Sequence, residues 1–309
     1  MLCHGLNYRR KVVKEGDQFR FSPADGVDIL KVARSVQKPA SEMCLRCHLG
    51  AGGGPNHKHG VIPTKDSDVH MGKGFECIHC HATKQHKVAG GSDLKAQELL
   101  EVKVACANCH TESPHTGSQA AALNKHNERI ACQTCHIPAI ARDPKMPTVV
   151  ERDWTKPVLN EKTGLYGPAN KMANNLKPEY HWWNRMMRVP PEPVGSIDDP
   201  QSKIYPWKRS TYTVISDAVT DQVVFIKGGV YSVTGDAGAA AKRGAADAKQ
   251  TYSGQWKGIA ETMVFSLNHQ IAPKSEAVKC NDCHSPAGII NFKALGYGDQ
   301  QIQTLTRNR

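Results

Sequence analysis

Aromatic side chains are scarce: they make up 6% of 309 residues, within a hydrophobic share of only 39%. A chain of this length has room for one large domain or two ordinary ones, and the apolar supply is lean for either. Something other than side chains fills part of the interior, or much of the chain is loop. Long apolar runs are missing too. No stretch approaches the roughly 18 apolar residues that span a bilayer, so no transmembrane segment is expected. The first thirty residues, reading through NYRRKVVKEGDQFRF, hold no apolar signal-peptide core. The formal net charge is +11, but the lysines are scattered, with no basic stripe interleaved with aromatics. The surplus therefore reads as a solvated face and not as a nucleic-acid site.

Cysteine is plentiful. Ten of the 11 cysteines form five copies of one pattern: Cys44-Leu45-Arg46-Cys47-His48, Cys77-Ile78-His79-Cys80-His81, Cys106-Ala107-Asn108-Cys109-His110, Cys132-Gln133-Thr134-Cys135-His136 and Cys280-Asn281-Asp282-Cys283-His284. C-x-x-C-H is the c-type haem attachment motif. Two thiols two residues apart can each add to one vinyl group of a porphyrin, and the next residue then lies under the iron as its proximal imidazole. Zinc needs four ligands and does not require His after every CxxC pair. A thioredoxin-like pair occurs once, beside a βαβ pattern, and structural disulfides have no reason to keep this gap and its trailing His. The eleventh cysteine, Cys3, precedes His4. Extended backwards, the pair is the end of a sixth motif whose first cysteine would fall before Met1, and an export signal is expected upstream because covalent haem attachment takes place outside the cytoplasmic membrane. The competing reading is an unmodified Cys3 beside an unrelated His4.

There are 15 histidines. His4, His48, His81, His110, His136 and His284 follow a motif cysteine. Of the other nine, His59, His70, His86, His115, His126 and His269 are the candidate distal ligands; His57, His79 and His181 are left over, with the choice between His57 and His59 open. Two imidazoles per iron close both faces and point to electron transfer, whereas a catalytic haem needs a displaceable position. Met43 and Met71 read as packing groups. Each oxidised bis-histidine haem adds roughly −1, so haem propionates absorb about half of the basic surplus.

Four complete motifs crowd into residues 44–136, a density that leaves no room for a peptide core; stacked haems wrapped by short helices take its place. Residues 1–136 form this haem-dense region. Residues 137–279 hold all five tryptophans and no motif, and read as a lobe packed on the haem core. Residues 280–309 return to it through the last motif, giving one structural domain. VDILKVARSVQKP reads as a helix with Val27, Leu30, Ala33 and Val36 on one face, and SDLKAQELLEVKVACANCH as another. GAGGGPNHKHG and RVPPEPVGSIDDP read as loops, STYTVISDAVTDQVVFIKGGVYSVTGD as short strands, and AGAAAKRGAADAK as a surface helix.

DILKVARSVQKP leading to CLRCH, then GAGGGPNHKHG, DVHMGKGFECIHCHATKQHKVAG, CANCHTESPH, LNKHNERIACQTCHIPAIAR and TYSGQWKGIAETMVFSLNHQIAPKSEAVKCNDCH resemble the octahaem tetrathionate reductase family of multihaem c-type cytochromes. The resemblance is looser over residues 145–245. It implies a mainly α fold with extensive loops, few short strands and a haem-stack core. It makes Cys3-His4 part of the third haem and the complete motifs the fourth to eighth, and it agrees with the six distal histidines counted above. It also implies a periplasmic or extracellular reductase of tetrathionate, nitrite or hydroxylamine, fed by a quinol dehydrogenase or small cytochromes, and open to oligomerisation. The family's catalytic haem carries a lysine ligand, for which Lys38 and Lys58 are the candidates here. The alternative is a non-catalytic bis-histidine carrier or conducting assembly.

Overall fold

The computed structural model describes residues 3–15, 18–49, 60–90, 101–188 and 192–307. Two compact units emerge. One comprises residues 1–37, 149–172 and 210–263; the other comprises 38–148, 173–209 and 264–309.

The first unit opens with an antiparallel hairpin, β1 (Arg10–Glu15) and β2 (Gln18–Pro23), and a short helix, Ile29–Arg34, capped by Asp28, whose carboxylate accepts from the Lys31 N–H. Only Val32 of that helix is buried, while Leu30 and Val36 are exposed. The apolar face expected over 27–36 is thus not the one the fold uses. The rest of the unit is built on long strands. β5 (Thr148–Asn160) pairs in parallel with β10 (Lys203–Asp217) through Thr211 opposite Glu151. Beside them lie β6 (Leu165–Ala173) and β11 (Trp256–Ser266). Ile215 and Val224 pack on helices Gly228–Thr234 and Ala237–Asp247 through Tyr231, Ala237, Ala240, Ala241 and Ala245. The alanine-rich helix is thus a surface helix, as expected: it buries one alanine face and exposes Lys242, Arg243 and Asp247 on the other. Gly244 sits on that face, where a Cβ would lie 2.0 Å from the Phe225 carbonyl oxygen, so only glycine permits the approach. The expected strands over 210–236 are real up to Asp217, but Gly228–Thr234 is helical.

The second unit contains all five complete motifs. Its peptide core lies in the tryptophan-bearing segments, where Trp183, Tyr205 and Trp207 meet edge to face at 4.9–5.9 Å, a favoured aromatic geometry. β7 (Glu179–Trp183) runs antiparallel to the start of β10. The Trp182 indole N–H donates to the Leu295 carbonyl at 2.8 Å, and Arg129 stacks 4.6 Å over the Trp182 ring. Two small hairpins complete the strands: β3 (Thr83–Lys84) with β4 (Lys87–Val88), and β8 (Met186–Arg188) with β9 (Glu192–Val194). The segment 188–200 expected to be loop thus carries a strand. Of the second expected helix, residues 92–100 lie outside the described residues, 101–106 are not helical, and only Ala107–His110 is.

The expectation of a mainly α fold with few short strands is wrong. Helix and strand each take roughly a quarter of the chain, and five strands form one mixed sheet in the order β11-β10-β5-β6, with β7 also on β10. β10 explains the misreading. Flanked on both sides, it buries side chains on both faces and loses the alternation that marks a half-exposed strand. It also carries Pro206 and a fully buried Lys208, residues that argue against a central strand when met in sequence.

Candidate haem-binding sites

Each complete motif sits on a helical turn: Ser41–His48, Cys77–Cys80, Ala107–His110, Cys132–His136 and Cys280–Cys283. Residues i and i+3 share a helix face, so both thiols of a motif emerge on one side. Three of these helices, those at 77–80, 107–110 and 280–283, bury no residue against the polypeptide. Isolated turns this short are not stable in water; they suit a partner that is itself large, flat and apolar. None of the eleven cysteines is in a disulfide.

Histidines from distant parts of the second unit meet in pairs. His70 and His110 have ring centroids 6.0 Å apart at 65°. His81 and His269 are 6.3 Å apart at 49°. His126 and His284 are 6.0 Å apart and nearly parallel at 17°. Each pair joins one motif histidine to one expected distal histidine. An imidazole nitrogen binds a first-row metal at about 2.0–2.1 Å, so two imidazoles on opposite sides of one ion have centroids roughly 6 Å apart once the ring radii are added. Among the described residues, no three His, Cys, Asp or Glu side chains converge on a common metal position. Ligands in twos suit an ion whose other four positions belong to a macrocycle, and they do not suit zinc. The donor set therefore fits haem.

The protonation pattern agrees. The His81 Nδ1–H donates to the Ala89 carbonyl at 2.9 Å, the His284 Nδ1–H to the Leu305 carbonyl at 2.9 Å, and the His4 Nδ1–H to the Gln37 carbonyl at 3.0 Å. A carbonyl can only accept, so the proton stays on Nδ1 and the Nε2 lone pair is left for a metal. Two distal candidates are held alike. His70 Nδ1 faces the Asp68 carboxylate at 3.2 Å. His115 Nδ1 donates to Asn124 Oδ1 at 2.9 Å, and Asn124 also accepts from the His115 N–H and donates to its carbonyl. The leftover histidines differ. His79 Nδ1 lies 2.8 Å from the Glu76 N–H and 3.2 Å from the Glu76 carbonyl oxygen, packed into the cap of its own helix, and His181 spends Nε2 on Glu179.

Neighbouring motifs touch. The thiols of Cys106 and Cys132 are hydrogen-bonded, which raises the first and lowers the second. Burial, then the proximity of Cys132 and Cys280, pushes Cys135 up to about 11. Burial and Cys135 push Cys283 up to about 12. Burial, Cys109 and Asp68 raise Cys80. The motifs at 77, 106, 132 and 280 thus form a spatial series. Burial, then nearby His115, His110 and His70, lowers His136. The fourth motif is fastened through Thr134, whose hydroxyl donates to the Ile204 carbonyl at 2.8 Å, and through the His136 carbonyl, which accepts from Ala272 N–H at 2.7 Å.

A family model described as bacterial cytochrome c matches residues 143–287. The crystal structure of an octaheme cytochrome c from Shewanella oneidensis superposes with a TM-score of 0.72 at 29% identity, covering 96% of this chain and 74% of that one. The chain is a multihaem c-type cytochrome. It transfers electrons, and haem c is its cofactor. An uncharacterized protein of Archaeoglobus fulgidus is 31% identical over 97 residues, 28% of this chain; the match spans about a third of that relative's length.

Other expected residues of the cytochrome are placed as follows. His86 lies at the exposed turn of the β3–β4 hairpin, where it and Gln85 have positive φ, as a two-residue type I′ turn requires. Cys3 is exposed, as are His48 and Lys38. Lys58 and His59, with His57, lie outside the described residues. No described helix is long and apolar enough to cross a membrane. Sequence reasoning missed the groups that hold the ligands: Asp68, Asn124, the Ala89 and Leu305 carbonyls, and Gly90. The only local signal was an acidic or amide residue two or nine positions from a histidine, which is too common to single out.

Proposed function

We propose that this cytochrome holds haem c at all five complete motifs and at Cys3-His4, and that it serves as a reductase of the octahaem tetrathionate reductase type, acting on tetrathionate, nitrite or hydroxylamine. The observation that carries the electron-transfer part is the set of three imidazole pairs at 6.0–6.3 Å. When bound, haem supplies a one-electron Fe(III)/Fe(II) couple. Cys44 with Cys47, Cys77 with Cys80, Cys106 with Cys109, Cys132 with Cys135 and Cys280 with Cys283 tether it. His48, His81, His110, His136 and His284 supply the proximal imidazoles. His70, His269 and His126 are the distal partners of His110, His81 and His284, and His115, which lies near His136 with its Nδ1 held by Asn124, is assigned to that motif. The Nδ1 anchors fix each ring so that little reorganisation accompanies a change of charge at the metal. His4 has the same anchor as His81 and His284, which supports its place in a sixth site.

The segments quoted above and the 96% coverage by an octahaem cytochrome support the reductase reading. Lys38 or Lys58 would supply the lysine of the catalytic haem. Electron donors would be a quinol dehydrogenase or small cytochromes, in the periplasm or outside the cell. The paired imidazoles favour a second reading, a carrier or conducting assembly with no open coordination position. Stopped-flow mixing of the reduced full-length protein with tetrathionate, nitrite and hydroxylamine separates the two. Oxidation with turnover by any of them supports the reductase, and none with all three supports the carrier. A pyridine haemochrome assay giving fewer than five haems per chain would refute the site assignment.

A further inference from the structure

Asp68 is a carboxylate with 6% exposure in a region otherwise organised around histidines. Its Oδ1 accepts from the His70 backbone N–H at 2.9 Å and faces His70 Nδ1 at 3.2 Å. Its Oδ2 accepts from the Ile271 N–H at 2.9 Å, and the Val69 N–H donates to the Ile271 carbonyl at 2.9 Å. The carboxylate therefore caps the Val69–Gly72 helix, fixes the ring of His70, and ties that helix to the segment just after His269. Its charge is also felt at Cys80. Of the anchored rings, His70 alone meets a full negative charge; His81, His284, His4 and His115 meet neutral carbonyl or amide oxygens.

We infer that Asp68 is a positioning residue that holds the Nε2 of His70 toward His110 and gives the site between them a lower reduction potential than its neutral-anchored neighbours. A carboxylate on the remote N–H makes an imidazole a stronger donor, and a fixed negative charge beside an iron centre favours its ferric form. The region around Asp68 offers little solvent to screen that charge, while its three N–H donors keep it in place. This rests on the assignment of His70 and His110 as ligands to one haem.

The test uses the haem-loaded full chain as wild type, Asp68→Asn, Asp68→Glu and His70→Ala, followed by spectroelectrochemical titration and EPR. The His70–His110 planes cross at 65°, against 17° for His126–His284, so the near-perpendicular pair gives a low-spin ferric signal with a larger maximal g value and can be followed separately. Asp68→Asn should raise the ferrous-to-ferric ratio of that centre at least tenfold at fixed potential, an upward shift of about 59 mV for one electron. Asp68→Glu, which keeps the charge, should stay within threefold of wild type. A low-spin Asp68→Asn protein with every potential unchanged overturns the inference. If Asp68→Asn does not load haem, remote-nitrogen pulsed EPR of the wild type decides: imidazolate-like coupling in the large-g signal supports it, and coupling equal to that of the other centres overturns it. His70→Ala tests the underlying assignment by itself. If no low-spin centre is lost, the ligand assignment fails; if one is lost and Asp68→Asn is silent, only the role of Asp68 fails.

Discussion

Gly90 lies against the ring that the second motif presents. Its φ is +101°, and a Cβ there would lie 3.0 Å from His81 Nδ1 and 3.2 Å from Cε1. That nitrogen donates to Ala89, the preceding residue. Gly90→Ala therefore does two separable things. It places an L side chain in left-handed backbone, at a cost of about 1–2 kcal/mol. It also pushes the ring a few tenths of an ångström, weakening a hydrogen bond worth about 1 kcal/mol net. Gly74 isolates the first effect, since its φ is +84° and a Cβ would meet nothing within 4 Å. Gly74→Ala should lose about 1–2 kcal/mol and keep every haem signal. Gly90→Ala should lose roughly 2–3 kcal/mol and should also weaken ligation at the His81–His269 pair, read as one low-spin centre becoming high-spin or newly open to added imidazole. Denaturant unfolding gives the first quantity and EPR with optical titration the second. If Gly90→Ala matches Gly74→Ala in both, His81 is not held where its hydrogen bond places it, and the assignment of its Nε2 to a metal loses its geometric basis.

Three further outcomes are expected. Asn124→Ala removes three hydrogen bonds to His115 and should cost about 2–3 kcal/mol, with an altered potential at one centre in spectroelectrochemical titration. Deleting residues 299–309 removes the Leu305 carbonyl that fixes His284; the near-parallel His126–His284 EPR signal should broaden or vanish while the perpendicular one persists. The His181 hydrogen bond and the Arg209 fork hold Glu179 down at about 2, below the free carboxyl value of about 4.3. Its contribution is complete above that value and is lost as pH falls toward 2. Glu179 is 39% exposed, which limits the contribution to about 1 kcal/mol. Glu179→Gln should be less stable by that amount at pH 7 and should converge with wild type near pH 2 in urea unfolding curves.

What the sequence disclosed and what it hid follow from the range of the interactions involved. A CxxCH motif is local: two thiols and an imidazole within five residues, all on one helical turn, so spacing alone can point to it. The lean hydrophobic content goes with motif helices at 77–80, 107–110 and 280–283 that bury no side chain of their own. The sheet was only half legible: the Ser210–Asp217 end of its central strand was read as strand, but Lys203–Arg209 is buried without alternation and contains Pro206 and Lys208. Residues 27–36 failed for the opposite reason: a clear helical period, Val27, Leu30, Ala33 and Val36, outlined a face that the fold leaves in solvent, and only Val32 is buried.

The distal ligands show where counting stops and geometry begins. Nine histidines competed for six places, and composition cannot say which ring reaches which iron, because His269 and His81 meet only after the chain has traversed the whole β lobe. The hydrogen bonds supply the missing criterion. A ring whose Nδ1 faces an oxygen that can only accept offers Nε2; the motif histidines His81, His284 and His4 are so placed, and among the nine so are His70 and His115. His79, within the same motif as His81, is held differently. Its Nδ1 packs against the N–H and the carbonyl of Glu76, three residues back in its own helical turn, whereas His81 reaches out of its helix to Ala89. Two histidines two residues apart in sequence are thus turned to different backbone partners, one inside the motif helix and one beyond it.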